Sequence, residues 1–174
     1  MNTQEIKEQL NEIEHIKKAR ELAGKVKSVK VAMFITRSLD GEIHSRPMQT
    51  LQIKDDGVVW FMTWKDSSIA KEIAENPIIN LSYTDPGSDL FVSVNGVASL
   101  TVEPMKIGEL WSDMFRAYFP GGKDDPSITL IRVDPTRAEY WDAPDSIVSQ
   151  LIMVAKATLA GNPYKVGENK KVEL

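Results

Sequence analysis

The sequence predicts a mainly β protein of the α+β class, an antiparallel barrel decorated with peripheral helices. Three observations lead there. Two Asp-Gly turns, Asp40-Gly41 and Asp56-Gly57, stand between apolar runs, a strong short-range hairpin signal. About seven extended segments follow one another through turns instead of crossover helices, which disfavours a doubly wound parallel sheet. Helical period is confined to three or four flanking stretches.

Each element has its own signature. In residues 2–23, Ile6, Leu10, Ile13 and Ile16 recur at helical spacing, and Gly24 sits where a helix stops. This reads as a surface helix packed on the body, with a partner-clasping helix as the alternative. The run from Val29 to Thr36 is β-rich, Ile43 to Ile53 is the next extended stretch, and Val58 to Thr63 completes the pair of hairpins. A helix capped by Asp66, Ser67 or Ser68 carries Ile69, Ala70 and Ile73 on one face and ends at Asn76-Pro77. Ile78–Thr84 and Asp89–Val102 are strands joined by Asp85-Pro86-Gly87-Ser88, with Gly96 marking a bulge or a close backbone approach. Pro104 opens a helix in which Ile107, Leu110, Trp111, Met114, Phe115 and Tyr118 keep helical spacing. Ser127–Asp134 and Arg137–Trp141 read as two strands split by Pro135. A last helix from about Asp145 to Leu159 precedes Gly161-Asn162-Pro163 and a polar tail. One domain suffices for 174 residues and 19.5 kDa, with 1–24 as an N-terminal helix packed on a domain of residues 25–174.

Composition removes several function classes. The chain has no cysteine, which excludes disulfides, thiolate nucleophiles, zinc-thiolate sites and iron–sulfur clusters. Lys and Arg number 21 against 25 Asp and Glu, for a net charge of −4, which argues against a nucleic-acid coat. His15 and His44 have no second histidine at ligand spacing, so no metal is expected. The polar start is no signal peptide, and the longest apolar run, from Ile147 to Ala160, is too short for a bilayer. A soluble, cytoplasmic protein without nucleic-acid or membrane partners is expected. No nucleophile motif is present, so any chemistry would be a cofactor's.

Two features stand out. In Ser45-Arg46-Pro47-Met48 the proline demands a sheet edge or a bulge, where free backbone groups can meet the polar rim of a planar ligand. Arg46, Met48 and Thr50 then face one way, and Arg46 can fork onto a phosphate, although taken alone it reads more readily as a solvent-facing edge arginine. One hairpin later, Thr63, Ser67, Ser68 and Lys71 surround a helix start, whose unpaired N–H groups favour anions. Taken alone, the serines are caps.

These segments, with Trp60-Phe61-Met62-Thr63, Asp66-Ser67, Asn76-Pro77, Phe119-Pro120-Gly121-Gly122, Asp125-Pro126 and Glu139-Tyr140-Trp141, resemble the pyridoxamine 5′-phosphate oxidase-like flavoproteins, above all the general stress protein 26 group. The resemblance runs from Val29 to Trp141. It implies a split β-barrel of the FMN-binding type and a homodimer with flavin at the subunit interface. FMN is the implied cofactor, with FAD as the alternative. The implied binding set is Arg46, Pro47, Met48, Phe61, Met62, Thr63, Ser67, Ser68, Lys71, Trp111 and Trp141, with Trp141 reaching over from the other subunit. It further implies a flavin-dependent oxidoreductase acting on a small molecule, the alternative being a non-catalytic flavin-binding or interaction module. The sequence departs from the family twice. Ile69 stands where the family commonly has a phosphate-binding lysine. The Arg-x-His pair that grips pyridoxamine phosphate is absent after Trp141, which argues against that substrate.

Overall fold

A computed structural model of the chain describes residues 17–142 except 55 and 89, together with residues 168–173. The stripe of Ile6, Leu10, Ile13 and Ile16 and the helix expected over 145–159 lie outside the described residues. The elements run α1 (17–26), β1 (Val31–Arg37), β2 (Ile43–Gln49), β3 (Gln52–Ile53), β4 (Val59–Trp64), α2 (Ser68–Glu75), β5 (Ile78–Asp85), β6 (Leu90–Thr101), α3 (Pro104–Leu110), a 3-10 turn (Asp113–Ala117), β7 (Ile128–Asp142) and β8 (Glu168–Glu173). All strand pairs are antiparallel, in the order β2-β1-β5-β6-β7-β4-β3, with β8 added to β7. This curled sheet is a split β-barrel, as expected.

The two hairpins form at the Asp-Gly signals, and Gly41 and Gly57 adopt φ of 90° and 83°, which a side chain would resist. The extended stretch from Ile43 to Ile53 is two strands, however. Thr50 N–H donates to Lys30 in front of β1, whereas Leu51 N–H donates to Trp60 of β4. Consecutive residues thus bond to opposite ends of the sheet, and the chain itself draws the edges together.

Strand β4 is buried on both faces, which explains why its sequence lacks polar alternation. Val59 and Phe61 enter the main core with Phe34, Leu81, Val92, Val94 and Ile131, beneath Leu22 and Val26 of α1 and Ile69 and Ile73 of α2. Trp60 and Met62 face a second core with Ile107, Leu110, Phe115, Phe119, Ile128 and Leu130. That second core breaks the helix expected after Pro104. The helix stops at Leu110, Trp111 is extended (φ −68°, ψ 139°), and a 3-10 turn follows. The break lets Phe115 and Phe119 both pack inward while Met114 and Tyr118 turn to solvent, so packing overrides helical period.

Three further boundaries differ from expectation. Helix α1 continues to residue 26, past Gly24, because Val26 docks in the core. The polar tail contains a strand, β8, zipped to Arg137–Asp142. Strand β7 runs uninterrupted through Pro135, because the ladder shifts register between Asn95 and Gly96 opposite it, and a bulge accommodates proline. Gly96 is required there, since a Cβ would lie 2.8 Å from the Asp134 carbonyl oxygen and from Val133.

Gly96→Ala is therefore expected to destabilise the fold by about 1–3 kcal/mol. Gly108→Ala, in α3 with nothing within 4 Å of the new Cβ, should stabilise it by about 0.5–1 kcal/mol. Urea unfolding of the two variants checks the contrast, and equal shifts would contradict the packing described.

Candidate functional site

The ladder along one side of β4 ends with β3, which pairs only Val59 and Trp60. Among the described residues, Phe61–Trp64 beyond Trp60 have a strand neighbour on the β7 side alone, and β2 is the sheet's other edge. A cleft of about 430 Å³ opens between them. Pro47, Met48 and Gln49 form one wall, Met62, Thr63 and Trp64 the other, with Leu51 at the corner and Val31 beside it. Phe115, Tyr118 and Phe119 close the third side, with Trp64 and Phe119 stacked at a tilt, 4.6 Å between ring centroids. None of these side chains carries a charge. Two thioethers and several rings suit a flat, apolar ligand, and the unpaired edges of β2 and β4 can serve a polar rim.

The anion-favouring features lie around α2. Ser67 caps the helix, its hydroxyl accepting from Ala70 N–H at 3.3 Å, donating to the Trp64 carbonyl at 2.6 Å and lying 3.0 Å from the Thr63 hydroxyl. Thr63 lines the cleft, so this hydroxyl pair joins the cleft to the helix N-terminus. Arg46 reaches α2 one turn further along. Its Nη2 donates to Glu72 Oε2 at 2.8 Å, while Nη1 is buried with no hydrogen-bond partner among the described residues. A buried guanidinium nitrogen without an acceptor is costly, and an anionic ligand would satisfy it.

Glu72 is the centre of a cluster that sequence reading missed. Its side chain is 8% exposed. It accepts from the Thr36 hydroxyl, from His44 Nδ1 at 2.7 Å and from Arg46. Burial pushes its carboxyl up, but the bonds from Thr36, His44 and Arg46 together hold it below the ordinary value of 4.5. The signal was present, because Glu72 lies between Ile69 and Ile73 on the apolar face of α2, an unusual place for a carboxylate without partners.

The expected site residues divide. Pro47, Met48, Met62 and Thr63 line the cleft and Ser67 adjoins it through Thr63, whereas Arg46 is bonded to Glu72 of α2 and does not line it. Phe61 does not, because strand alternation sends its fully buried ring against Phe34, 5.1 Å between centroids. Ser68 shares Glu72's flank of α2, four residues before it, and is exposed. Lys71 is exposed about 160° round the helix from Ile73, on the face turned away from the barrel. Ile69 is 3% exposed and part of the core. Trp111 packs behind the cleft wall, on Phe115 and Phe119. Trp141 pairs with Phe91, far along β7 from Thr129, the residue opposite Thr63.

The family model described as pyridoxamine 5′-phosphate oxidase like matches residues 17–165. Protein bli-3 of Neurospora crassa is 26% identical over 165 residues, spanning 89% of this chain and 79% of its own. A Jannaschia sp. CCS1 structure named as a candidate general stress protein 26 superposes with TM-score 0.68 at 25% identity, covering 92% of this chain and 96% of that one. The general stress FMN/FAD binding protein of Xanthomonas citri superposes with TM-score 0.62 at 29% identity, covering 76% and 91%.

The cluster sets a pH signature. The hydrogen bond that His44 donates to Glu72 raises His44 above 6.5, outweighing its desolvation. The stability His44 contributes is therefore fully present below its unfolded value and is lost as pH rises through the raised folded one. Glu72 behaves oppositely, its contribution present above 4.5 and lost as pH falls through the lowered value. An NMR titration, with His44→Gln to separate its signals from those of His15, should place the His44 midpoint above 6.5. A midpoint at or below that value would mean the pair does not form in solution.

Proposed function

The chain belongs to the pyridoxamine 5′-phosphate oxidase-like family, and on that premise we propose that it is a flavin-binding protein of the general-stress type, holding FMN in the cleft between β2 and β4. The observation that carries this reading is the convergence of Pro47, Met48, Met62 and Thr63 on one uncharged cleft. The residues suit the group. Met48, Met62, Trp64 and Phe119 offer apolar surface to an isoalloxazine ring, and the strand edges offer backbone donors and acceptors to its polar rim. The unpartnered Arg46 Nη1, with the hydroxyls of Thr63, Ser67 and Ser68, would serve the phosphate. When bound, flavin supplies reversible one- or two-electron transfer. The chain's own part is to clamp the ring, exclude water with Trp64, Phe119 and Tyr118, and leave room for a small redox partner.

The reaction proposed is oxidation or reduction of a small molecule in the cytoplasm, and pyridoxamine phosphate is not the substrate. After Trp141 the chain reads Asp142-Ala143-Pro144-Asp145, two carboxylates where that substrate's phosphate would need cations. A homodimer is part of the same proposal. Val31, Met33, Ile78, Phe91 and Val97 are exposed on the outer face of β1, β5 and β6. Trp141 is in register with Phe91 on that face. A second copy covering it would give Trp141 a neighbouring cleft to reach, and its own cleft a further wall.

Purified protein should be yellow and release FMN on heating, identified by mass spectrometry. FAD in its place would correct the cofactor, and colourless protein that takes up no flavin would reject the reading in favour of an interaction module. Arg46→Ala should weaken FMN more than riboflavin, since it removes a donor to the phosphate and leaves the buried Glu72 carboxylate without its guanidinium partner. Equal weakening would mean that Arg46 does not meet the phosphate.

Sedimentation at micromolar concentration should give about twice 19.5 kDa. Met33→Glu should shift it toward monomer, because it buries a charge in the proposed contact. A monomeric wild type that binds FMN tightly would remove the two-chain cleft.

A further inference from the structure

We propose that Glu72 is a specificity-determining residue of the cleft, neutralising Arg46 so that the site holds its ligand by the planar ring and gives a phosphate little ionic advantage. The inference rests on the flavin reading above and adds to it which part of the ligand the site selects.

The argument is a charge inventory. Among the described residues Arg46 is a permanent cation bonded to α2, its Nη2 2.8 Å from Glu72 Oε2. The two lysines that flank or belong to α2 in the described chain are directed elsewhere. Lys65, in the loop before α2, donates its ammonium to the Pro126 carbonyl. Lys71 stands on the exposed face of that helix, and Ile69 is buried in the core. His44 bonds the other carboxylate oxygen through Nδ1 at 2.7 Å, and its Nε2 lies 3.5 Å from Glu42. With neutral imidazole the Arg46–Glu72 pair sums to zero charge, and Glu42 adds a negative neighbour. A phosphate approaching Nη1 therefore meets a guanidinium whose field is largely cancelled by a carboxylate bonded to the same group.

Glu72 is also fixed in place. Thr36 of β1, His44 and Arg46 of β2 all donate to it, so it cannot swing aside when an anion arrives. A carboxylate held by three donors on a buried helix face persists as a charge at neutral pH. Among the described residues no charged side chain lines the cleft. Apolar contact with the ring is then the main attraction on offer, and the hydroxyls of Thr63, Ser67 and Ser68 orient the tail without supplying charge.

The test uses riboflavin and FMN, which differ only in the phosphate, with the full chain, wild type and Glu72→Gln. Glutamine keeps the side chain's size and an acceptor for Arg46 while removing the charge. Wild type should bind FMN within about tenfold of riboflavin, and both affinities should share the same shallow dependence on NaCl. Glu72→Gln should bind FMN about tenfold or more tightly than wild type, leave riboflavin unchanged, and make FMN affinity fall with salt. If the variant does not fold, the wild-type salt comparison decides: an FMN preference well above tenfold that collapses with NaCl overturns the proposal. Unchanged or weaker FMN binding by a folded Glu72→Gln, with riboflavin bound as before, overturns it while leaving the flavin reading standing. Wild type that binds neither flavin overturns both.

Discussion

The backbone at Thr50 and Leu51 governs this structure. Two consecutive N–H groups donate to opposite ends of one sheet, to Lys30 in front of β1 and to Trp60 of β4. Backbone donors must be paired when buried, so this step forces the sheet to curl until its two ends meet at a single peptide. The meeting is local. Strand β3 pairs only two residues of β4, and past that point β2 and β4 diverge. The same corner that closes the barrel at one end therefore leaves it split at the other, and the cleft occupies the split.

Everything that lines the cleft follows from that geometry. Strand β2, as an edge, tolerates Pro47, whose missing N–H would interrupt a central ladder. Strand β4 is buried on both faces, so Met62 joins the second core while Phe61 fills the first. The second core in turn bends the chain after Leu110 and delivers Phe115 and Phe119 as the third wall. One strand thus ties the barrel interior to the ligand-facing surface, and the packing of either core bears on the cleft.

Electrostatics divides the site into two chemically different ends. The described lining of the cleft is uncharged, whereas on α2 Glu72 gathers Thr36, His44 and Arg46 from two strands onto one helix face. That cluster pins the free edge of the sheet to α2. It also decides how much positive charge reaches a ligand, because an arginine bonded to a buried carboxylate is a weaker anion receptor than an arginine alone.

Much of this was written in the chain. The Asp-Gly turns fixed two hairpins because only a few residues accept positive φ, and Gly96 announced a bulge or close backbone approach, whereas Pro135, expected to split two strands, sits inside one because that bulge receives it. The motif around Arg46, Pro47 and Met48, with Thr63 and Ser67, located one wall of the cleft and the helix start beside it. Tertiary structure alone decided the rest. Helical period carried the Pro104 helix on to Tyr118, but burial of two phenylalanines broke it, since period records one straight face and not a turn between two cores. The polar β8 owes its conformation to the open edge of β7 and not to its own residues. And Glu72 looked like one more helical glutamate, because three donors from β1 and β2, distant in sequence, become its neighbours only when the barrel closes.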